Sequence, residues 1–144
     1  MIDTNYLGTL NVCAAMLPLL EKSTSGIIVN VGSELGIRPA KGLAVYASTK
    51  AAVIHFTKAL AKECGASRIR VNCICPGPVD TPMLRRSIAR TKDPRAEMKA
   101  TIASTLMGRL AKPSEIAKVI EFLLSPDAGY MTGSVVVADG GATI

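Results

Sequence analysis

Apolar residues recur along the chain at spacings that predict helices alternating with strands. The predicted helices cover residues 2–22, 43–64, 82–107 and 113–124, and the third is expected to be one or two short amphipathic helices broken at Pro94. Short apolar runs predict three strands, within SGIIVNVGS (25–33), RIRVNCIC (68–75) and SVVVA (134–138). Because helices alternate with strands that are apolar on both faces, the pattern favours a parallel α/β sheet in one domain spanning residues 1–144.

The composition is typical of a folded, soluble chain. Hydrophobic residues make up 49% of the 144 residues, which argues against a disordered segment. No apolar run approaches the ~20 residues needed to cross a bilayer, and the N-terminus lacks a basic segment followed by an apolar core. We therefore expect a cytoplasmic protein with no membrane partner.

The four cysteines do not suggest a disulfide framework or a metal site. Cys73 and Cys75 flank one strand residue and should point to the same face, which is poor geometry for a mutual disulfide. The chain has no CxxC motif and only one histidine, His55, which is expected on a helix surface or in an interface and not in a catalytic role. Buried free thiols and no metal ligands are therefore expected.

Three other polar residues are expected to serve the fold. Asn30 and Asn72 lie inside predicted strands, where they are expected to satisfy backbone groups. Asp139 precedes two glycines and is expected to fix a turn.

The net charge of +6 is concentrated in one segment, which contains Arg85, Arg86, Arg90, Lys92, Arg95 and Lys99. A solvated basic surface is the first interpretation, and attraction of an anionic cofactor or substrate is the second. Aromatic residues make up only 3% of the chain, so stacking platforms for single-stranded nucleic acid are absent and no nucleic-acid partner is expected.

Tyr46 and Lys50 are the first candidates for chemistry, because four residues separate them on a predicted helix and place them on one face. A free tyrosine has a pKa of about 10, and a neighbouring ammonium is expected to lower that pKa. The pair would then suit general acid/base catalysis at an alcohol or carbonyl oxygen, which the hydroxyl of Ser33, just past the first strand, could hold. Taken alone, Tyr-x-x-x-Lys more often describes a tyrosine and a lysine on an ordinary helix.

Several motifs together resemble the short-chain dehydrogenase/reductase family over essentially the whole chain, with similarity to its 3-oxoacyl-acyl-carrier-protein reductase-like members. NVGS (30–33) resembles the family's strand end with the catalytic serine, and YASTK (46–50) matches its Tyr-x-x-x-Lys element at the expected spacing. NYLGT (5–9) resembles the helix with the family's catalytic asparagine, and RVNCICPGPVDTPM (70–83) resembles the strand and Pro-Gly loop at the nicotinamide. GRLAKPSEIAKVIEFLLS (108–125) resembles the family's closing helix, and YMTGSVVVADGG (130–141) resembles its closing strand.

The resemblance implies an oxidoreductase that transfers hydride between a small-molecule secondary alcohol or ketone and NAD or NADP. It implies that Tyr46 is the acid/base and that Lys50 lowers the pKa of Tyr46 and holds the nicotinamide ribose. It further implies that Ser33 orients the substrate oxygen and that Asn5 holds a water in a proton relay. It also implies that the cofactor is lined by Tyr46, Lys50, Pro76, Gly77, Val79 and Thr81. Residues 84–107 would form a lid over the substrate, and helices 2–22 and 43–64 would form a homo-oligomer interface.

The family's Gly-rich strand-turn-helix, which binds the cofactor's pyrophosphate, has no counterpart in this sequence. The residue that selects NAD or NADP lies in that same half of the family's fold. The resemblance therefore implies the C-terminal part of a Rossmann-type doubly wound parallel sheet with the first mononucleotide-binding half missing, since three strands replace about six. The strand at 27–31 is expected to present an apolar, unpaired edge.

Two functional hypotheses remain open at this point. The first is the catalytic half of an NAD(P)-dependent oxidoreductase, truncated and weakly active or inactive alone. The second is a noncatalytic remnant of the family that acts as an oligomerisation or interaction module. In-frame coding for a Gly-rich strand-turn-helix upstream of Met1 would favour the first hypothesis, and its absence the second.

Overall fold

A computed structural model describes residues 1–144 as an α/β fold built on one three-stranded sheet. The strands are β1 (Ile27–Val31), β2 (Arg70–Pro76) and β3 (Val135–Ala138), in the spatial order β1-β2-β3. Both pairs are parallel, with Val31 opposite Ile74 and Ile74 opposite Val136. The predicted parallel sheet is confirmed, and the carboxyl ends of all three strands lie at one edge.

Five α-helices accompany the sheet: α1 (Gly8–Leu20), α2 (Ala44–Glu63), α3 (Pro82–Ile88), α4 (Pro94–Ala103) and α5 (Pro113–Leu124). A π-helical turn precedes α1 at Asp3–Leu7, and short 3-10 turns lie at Glu34–Gly36, Cys64–Ser67 and Pro126–Ala128. No helix has the length and apolar character needed to cross a membrane.

Two helices, α3 and α4, occupy the segment predicted as one or two. The carboxylate of Asp93 caps α4 by accepting the backbone N–H groups of Arg95 and Ala96 at 3.1 and 3.0 Å. Pro94 is therefore the first residue of α4, where a missing N–H does no harm, rather than a break within a helix. Residues 104–107 lie beyond the end of α4, so the helical segment is shorter than predicted.

The core is centred on β2, in which Val71, Cys73, Ile74 and Cys75 are fully buried. Cys73 and Cys75 share one face and pack with Ile54 of α2, as the strand alternation predicts. All four cysteines are buried and free, which confirms that prediction. His55 is exposed on α2, as expected.

Two buried asparagines behave differently. The Asn72 amide donates to the Met131 carbonyl at 2.8 Å, and its oxygen accepts the Ser134 N–H at 3.0 Å, so it satisfies backbone groups as predicted. Asn30 instead donates to the Thr57 hydroxyl at 3.0 Å and accepts from the Cys13 thiol at 3.7 Å. The expectation of backbone partners is wrong for Asn30, because the groups that face it are side chains of α1 and α2.

The outer edge of β1 pairs with no other strand. A groove of about 640 Å³ runs along it, and its other lining residues include Asn5, Val12, Met16 and Lys50. Val31, the last residue of β1, is 47% exposed. The apolar, unpaired edge predicted for this strand is therefore present.

Candidate active site

Ser33 stands just beyond the carboxyl end of β1 and is 7% exposed. Its backbone is extended, and its hydroxyl oxygen accepts the Leu35 N–H at 3.2 Å, which caps the 3-10 turn Glu34–Gly36. Gly32 lets this strand end pass close to β2, since a Cβ there would lie 2.9 Å from the Cys75 sulfur. The local sequence thus fixes Ser33 at the edge of the sheet where it was expected.

Tyr46 and Lys50 lie one turn apart on α2 and approach the same edge. The Ser33 side chain interacts with the Tyr46 hydroxyl. The Lys50 ammonium stands 5.9 Å from the centre of the Tyr46 ring and donates to the Val31 carbonyl at 2.9 Å. That bond ties α2 to the end of β1, so the structure brings the serine, the tyrosine and the lysine together.

The acid/base character of Tyr46 differs from the sequence-based expectation. Burial is the largest influence and raises the pKa of Tyr46 above its ordinary value; the Ser33 hydrogen bond lowers it, and the negative charge of Glu34 raises it. Burial also lowers the pKa of Lys50. The expectation of a lowered pKa for Tyr46 is therefore wrong, because burial outweighs the influences that lower it. The Lys50 ammonium lies over the ring and is bonded to the Val31 carbonyl rather than to the Tyr46 hydroxyl.

Sequence reasoning missed Glu34, a carboxylate that follows Ser33 directly and whose charge acts on Tyr46. It is 6% exposed, and its nearest cation is Arg38, 3.8 Å away. Burial raises the pKa of Glu34, Arg38 lowers it, and Asp139 raises it. One carboxylate oxygen, Oε2, is buried with no hydrogen-bond partner. The only signal in the sequence is the position directly after Ser33.

Asn5 lies in the π-helical turn before α1, and its side chain reaches α2. Its amide donates to the Thr49 hydroxyl at 3.2 Å, and that hydroxyl donates to the Tyr46 carbonyl at 2.7 Å. Asn5 therefore touches the helical turn that carries Tyr46 and Lys50, but through Thr49. Its predicted role with a water remains a prediction.

Four of the six residues predicted to line the cofactor lie at the end of β2 and in the loop that follows it. Pro76 ends the strand, and Gly77 packs so tightly that a Cβ there would lie 2.6 Å from the Asp139 carbonyl oxygen. Val79 forms a parallel bridge with Ala111, and the Thr81 hydroxyl caps α3 by accepting the Leu84 N–H at 3.3 Å. The loop is thus held by backbone contacts.

Asp139, which follows β3, anchors the neighbouring turn. Its carboxylate accepts the N–H groups of Gly141 and Thr143 at 2.9 and 2.8 Å and the Thr143 hydroxyl at 2.7 Å. Gly140 and Gly141 have φ values of 64° and 83°, which glycine adopts without strain. The predicted turn is confirmed.

The matching family model and the similar sequences are all described as reductases. The family model described as Enoyl-(Acyl carrier protein) reductase matches residues 1–143. The 3-oxoacyl-[acyl-carrier-protein] reductase FabG of Chlamydia trachomatis is 42% identical over 141 residues, which is 98% of this chain and 54% of that protein. FabG of Thermotoga maritima is 40% identical over 144 residues, which is 100% of this chain and 56% of that protein.

Similar solved structures are those of a reductase and of a short chain dehydrogenase family protein. The crystal structure of levodione reductase superposes with a TM-score of 0.91 at 35% identity and covers 96% of this chain. A short chain dehydrogenase family protein from Francisella tularensis superposes with a TM-score of 0.77 at 34% identity and covers 81% of this chain. The match takes in 55% and 50% of those two chains, so this chain spans about half the length of the proteins it resembles.

Proposed function

Because the chain belongs to the short-chain dehydrogenase/reductase family, we propose that it supplies the catalytic part of an oxidoreductase that interconverts a secondary alcohol and a ketone with NAD or NADP. The observation that carries the proposal is the convergence of Ser33, Tyr46 and Lys50 at the carboxyl edge of the sheet. A hydroxyl, a phenol and an ammonium at one point form the set that proton transfer to or from a substrate oxygen requires.

Tyr46 is the proton donor in the direction of ketone reduction. Burial raises its pKa, so its hydroxyl stays protonated near neutral pH and can give that proton to the carbonyl oxygen as negative charge develops there. The Ser33 hydroxyl, which already interacts with Tyr46, holds the same oxygen. In alcohol oxidation the proton moves the opposite way, from the alcohol to the tyrosine oxygen.

The residues at this edge suit a nicotinamide nucleotide. Lys50 and Thr81 offer an ammonium and a hydroxyl for ribose and amide oxygens. The loop that contains Gly77 and Val79 follows β2 at the same edge of the sheet. When bound, the nicotinamide accepts or supplies the hydride. Asn5 supports the helical turn of Tyr46 through Thr49. Its proposed role is to hold a water near Lys50, which lines the same groove.

The test restores a complete fold by joining the N-terminal half of Thermotoga maritima FabG to this chain. Tyr46→Phe keeps the ring but removes the proton donor, so kcat for NAD(P)H-dependent ketone reduction should fall about 10²–10⁴-fold. Tyr130→Phe is the matched control, because Tyr130 is fully exposed and should leave kcat unchanged. Full activity of the Tyr46→Phe fusion would overturn the proposal.

A second candidate function is an oligomerisation module built on α1. Three apolar side chains of that helix are exposed: Val12 by 64%, Met16 by 43% and Leu19 by 59%. Such a patch is typical of a protein interface. If it mediates self-association, Val12→Glu with Leu19→Glu should shift the chain to a monomer in light scattering, while Leu106→Glu, at an exposed position outside α1, should not. An unchanged molar mass would exclude α1 as the interface.

A further inference from the structure

The helical hairpin of α3 and α4 begins and ends at the edge that carries Ser33. Its chain leaves the carboxyl end of β2 through Thr81, which caps α3. It returns to the end of β3, where the Met107 N–H donates to the Gly140 carbonyl at 3.1 Å. Both ends of the hairpin are therefore anchored at the edge of the sheet that carries the candidate active site.

A groove of about 540 Å³ separates the two helices. Its apolar lining comes from Ile88, which is buried, and from Met98 and Ile102, which are partly buried. Arg95 and Lys99 border the groove one turn apart on α4. A third cation, Arg85 of α3, also lines the groove but is paired with Asp80. The groove thus combines an apolar floor with two unpaired cations on α4, within the size range of small-molecule sites.

The two cations on α4 have no partner in the protein. The chain's ion pairs join Arg38 to Glu34, Arg85 to Asp80 and Arg109 to Glu115, and none involves Arg95 or Lys99. Glu97 is two residues from each cation along the helix and therefore does not share their face.

The position of Arg95 also disfavours a purely structural role. It lies in the first turn of α4, where the helix dipole favours anions and opposes a cation. Residues 82–103 carry six basic and two acidic side chains, so four of the six net positive charges of the chain lie in this hairpin. An anion in the groove would meet Arg95 and Lys99 together, whereas the N–H groups at the start of α4 are already bonded to the Asp93 carboxylate.

We propose that this groove binds the carboxylate of a substrate acid with an apolar chain, held by Arg95 and Lys99 while the chain lies on Ile88, Met98 and Ile102. The planar guanidinium suits the two oxygens of a carboxylate, and the ammonium of Lys99 adds a third donor. No serine, threonine or glycine lines the groove, so the additional hydroxyl and backbone donors typical of a phosphate site are absent. The assignment rests on the proposed function only in calling the acid a substrate.

The test measures binding to the 144-residue chain by calorimetry at low salt, with decanoate below its micelle-forming concentration. Decanol has the chain without the charge, and acetate has the charge without the chain; both should bind more weakly than decanoate. Arg95→Gln with Lys99→Gln should weaken decanoate binding about 10-fold or more. Arg90→Gln with Lys92→Gln removes the same charge from exposed positions outside the groove and should change affinity by less than about 2-fold.

Three results would overturn the assignment: no saturable decanoate binding, equal binding of decanol, or equal weakening by both double variants. Equal weakening would mean that the net charge of the hairpin, and not the groove, attracts the anion. Tyr46→Phe should leave decanoate binding unchanged. Loss of catalysis in the fused enzyme and loss of binding in the groove are therefore separate outcomes.

Discussion

Gly36 sets the distance between the turn that follows Ser33 and helix α2, which carries Tyr46 and Lys50. It ends the turn that follows Ser33, and it packs against α2 at the residues that follow Tyr46 by one turn. A Cβ at Gly36 would lie 2.8 Å from the Ala51 nitrogen, from the Lys50 carbonyl carbon and from the Ile54 Cδ1 atom. Two of these three atoms belong to the backbone of α2 and cannot rotate away.

The size of the perturbation follows from those distances. Ordinary contact begins near 3.4 Å, so Gly36→Ala requires the turn and the helix to separate by about 0.6 Å. Overpacking of this kind typically destabilises a protein by about 1–3 kcal/mol. The shift also exceeds the ~0.5 Å within which catalytic groups must be held, and a displacement near 1 Å can lower a rate by about 10²-fold.

Urea unfolding followed by circular dichroism measures the first effect. Tyrosine absorbance during a pH titration reports the second, because the Ser33 hydrogen bond lowers the pKa of Tyr46 and its weakening should raise that pKa further. Gly65→Ala is the matched control, since a Cβ there meets no atom within 4 Å. Equal stability and an unchanged Tyr46 titration in Gly36→Ala would refute the reasoning, as would an equal loss of stability in Gly65→Ala.

Three further predictions concern groups around the sheet. Glu34→Gln removes a negative charge near Tyr46 and should lower the pKa of that tyrosine in an absorbance titration, with Tyr46→Phe identifying the signal; no shift would contradict the placement of Glu34. Asn72→Ala removes the only acceptor of the Ser134 N–H and the shorter of two hydrogen bonds to the Met131 carbonyl, which keeps its bond from Arg70. It should reduce the free energy of unfolding by about 1–3 kcal/mol, against no loss for the exposed Asn11→Ala. Burial is the largest single influence on Asp139 and raises its pKa, but the hydrogen bonds from Thr143 and Gly141 together with that from its own backbone lower the pKa overall. The stabilising effect of Asp139 should therefore be present above its unfolded pKa and lost as pH falls through the folded pKa, and acid unfolding of Asp139→Ala should lack that component.

The strands and most helix boundaries could be predicted from sequence because their causes are local. Alternation and apolar runs located β1, β2 and β3, and the motif around Tyr46 located α2. The start of α4 was harder to read, because Pro94 both breaks a preceding helix and begins a new one, and only the Asp93 cap decides between them.

Placement of the site side chains at one edge was also predictable, since parallel strands bring their carboxyl ends together. Their protonation was not. The pKa of Tyr46 depends on how deeply α2 and the Ser33 turn bury it, and on Glu34, whose orientation arises from packing. Asn30 shows the same limit, because its partners come from two helices distant in sequence.

Lys50→Met separates two roles that the family resemblance assigns to one lysine. Because the ammonium lies over the Tyr46 ring and bonds Val31, and burial dominates the tyrosine's pKa, the substitution should leave the Tyr46 titration of the 144-residue chain nearly unchanged. In the fused enzyme it should still lower turnover, through loss of the proposed ribose contact and of the bond that ties α2 to β1. That loss should therefore persist at high pH. Recovery of activity as pH rises, together with a higher Tyr46 pKa in Lys50→Met, would show instead that the lysine acts mainly by favouring the phenolate.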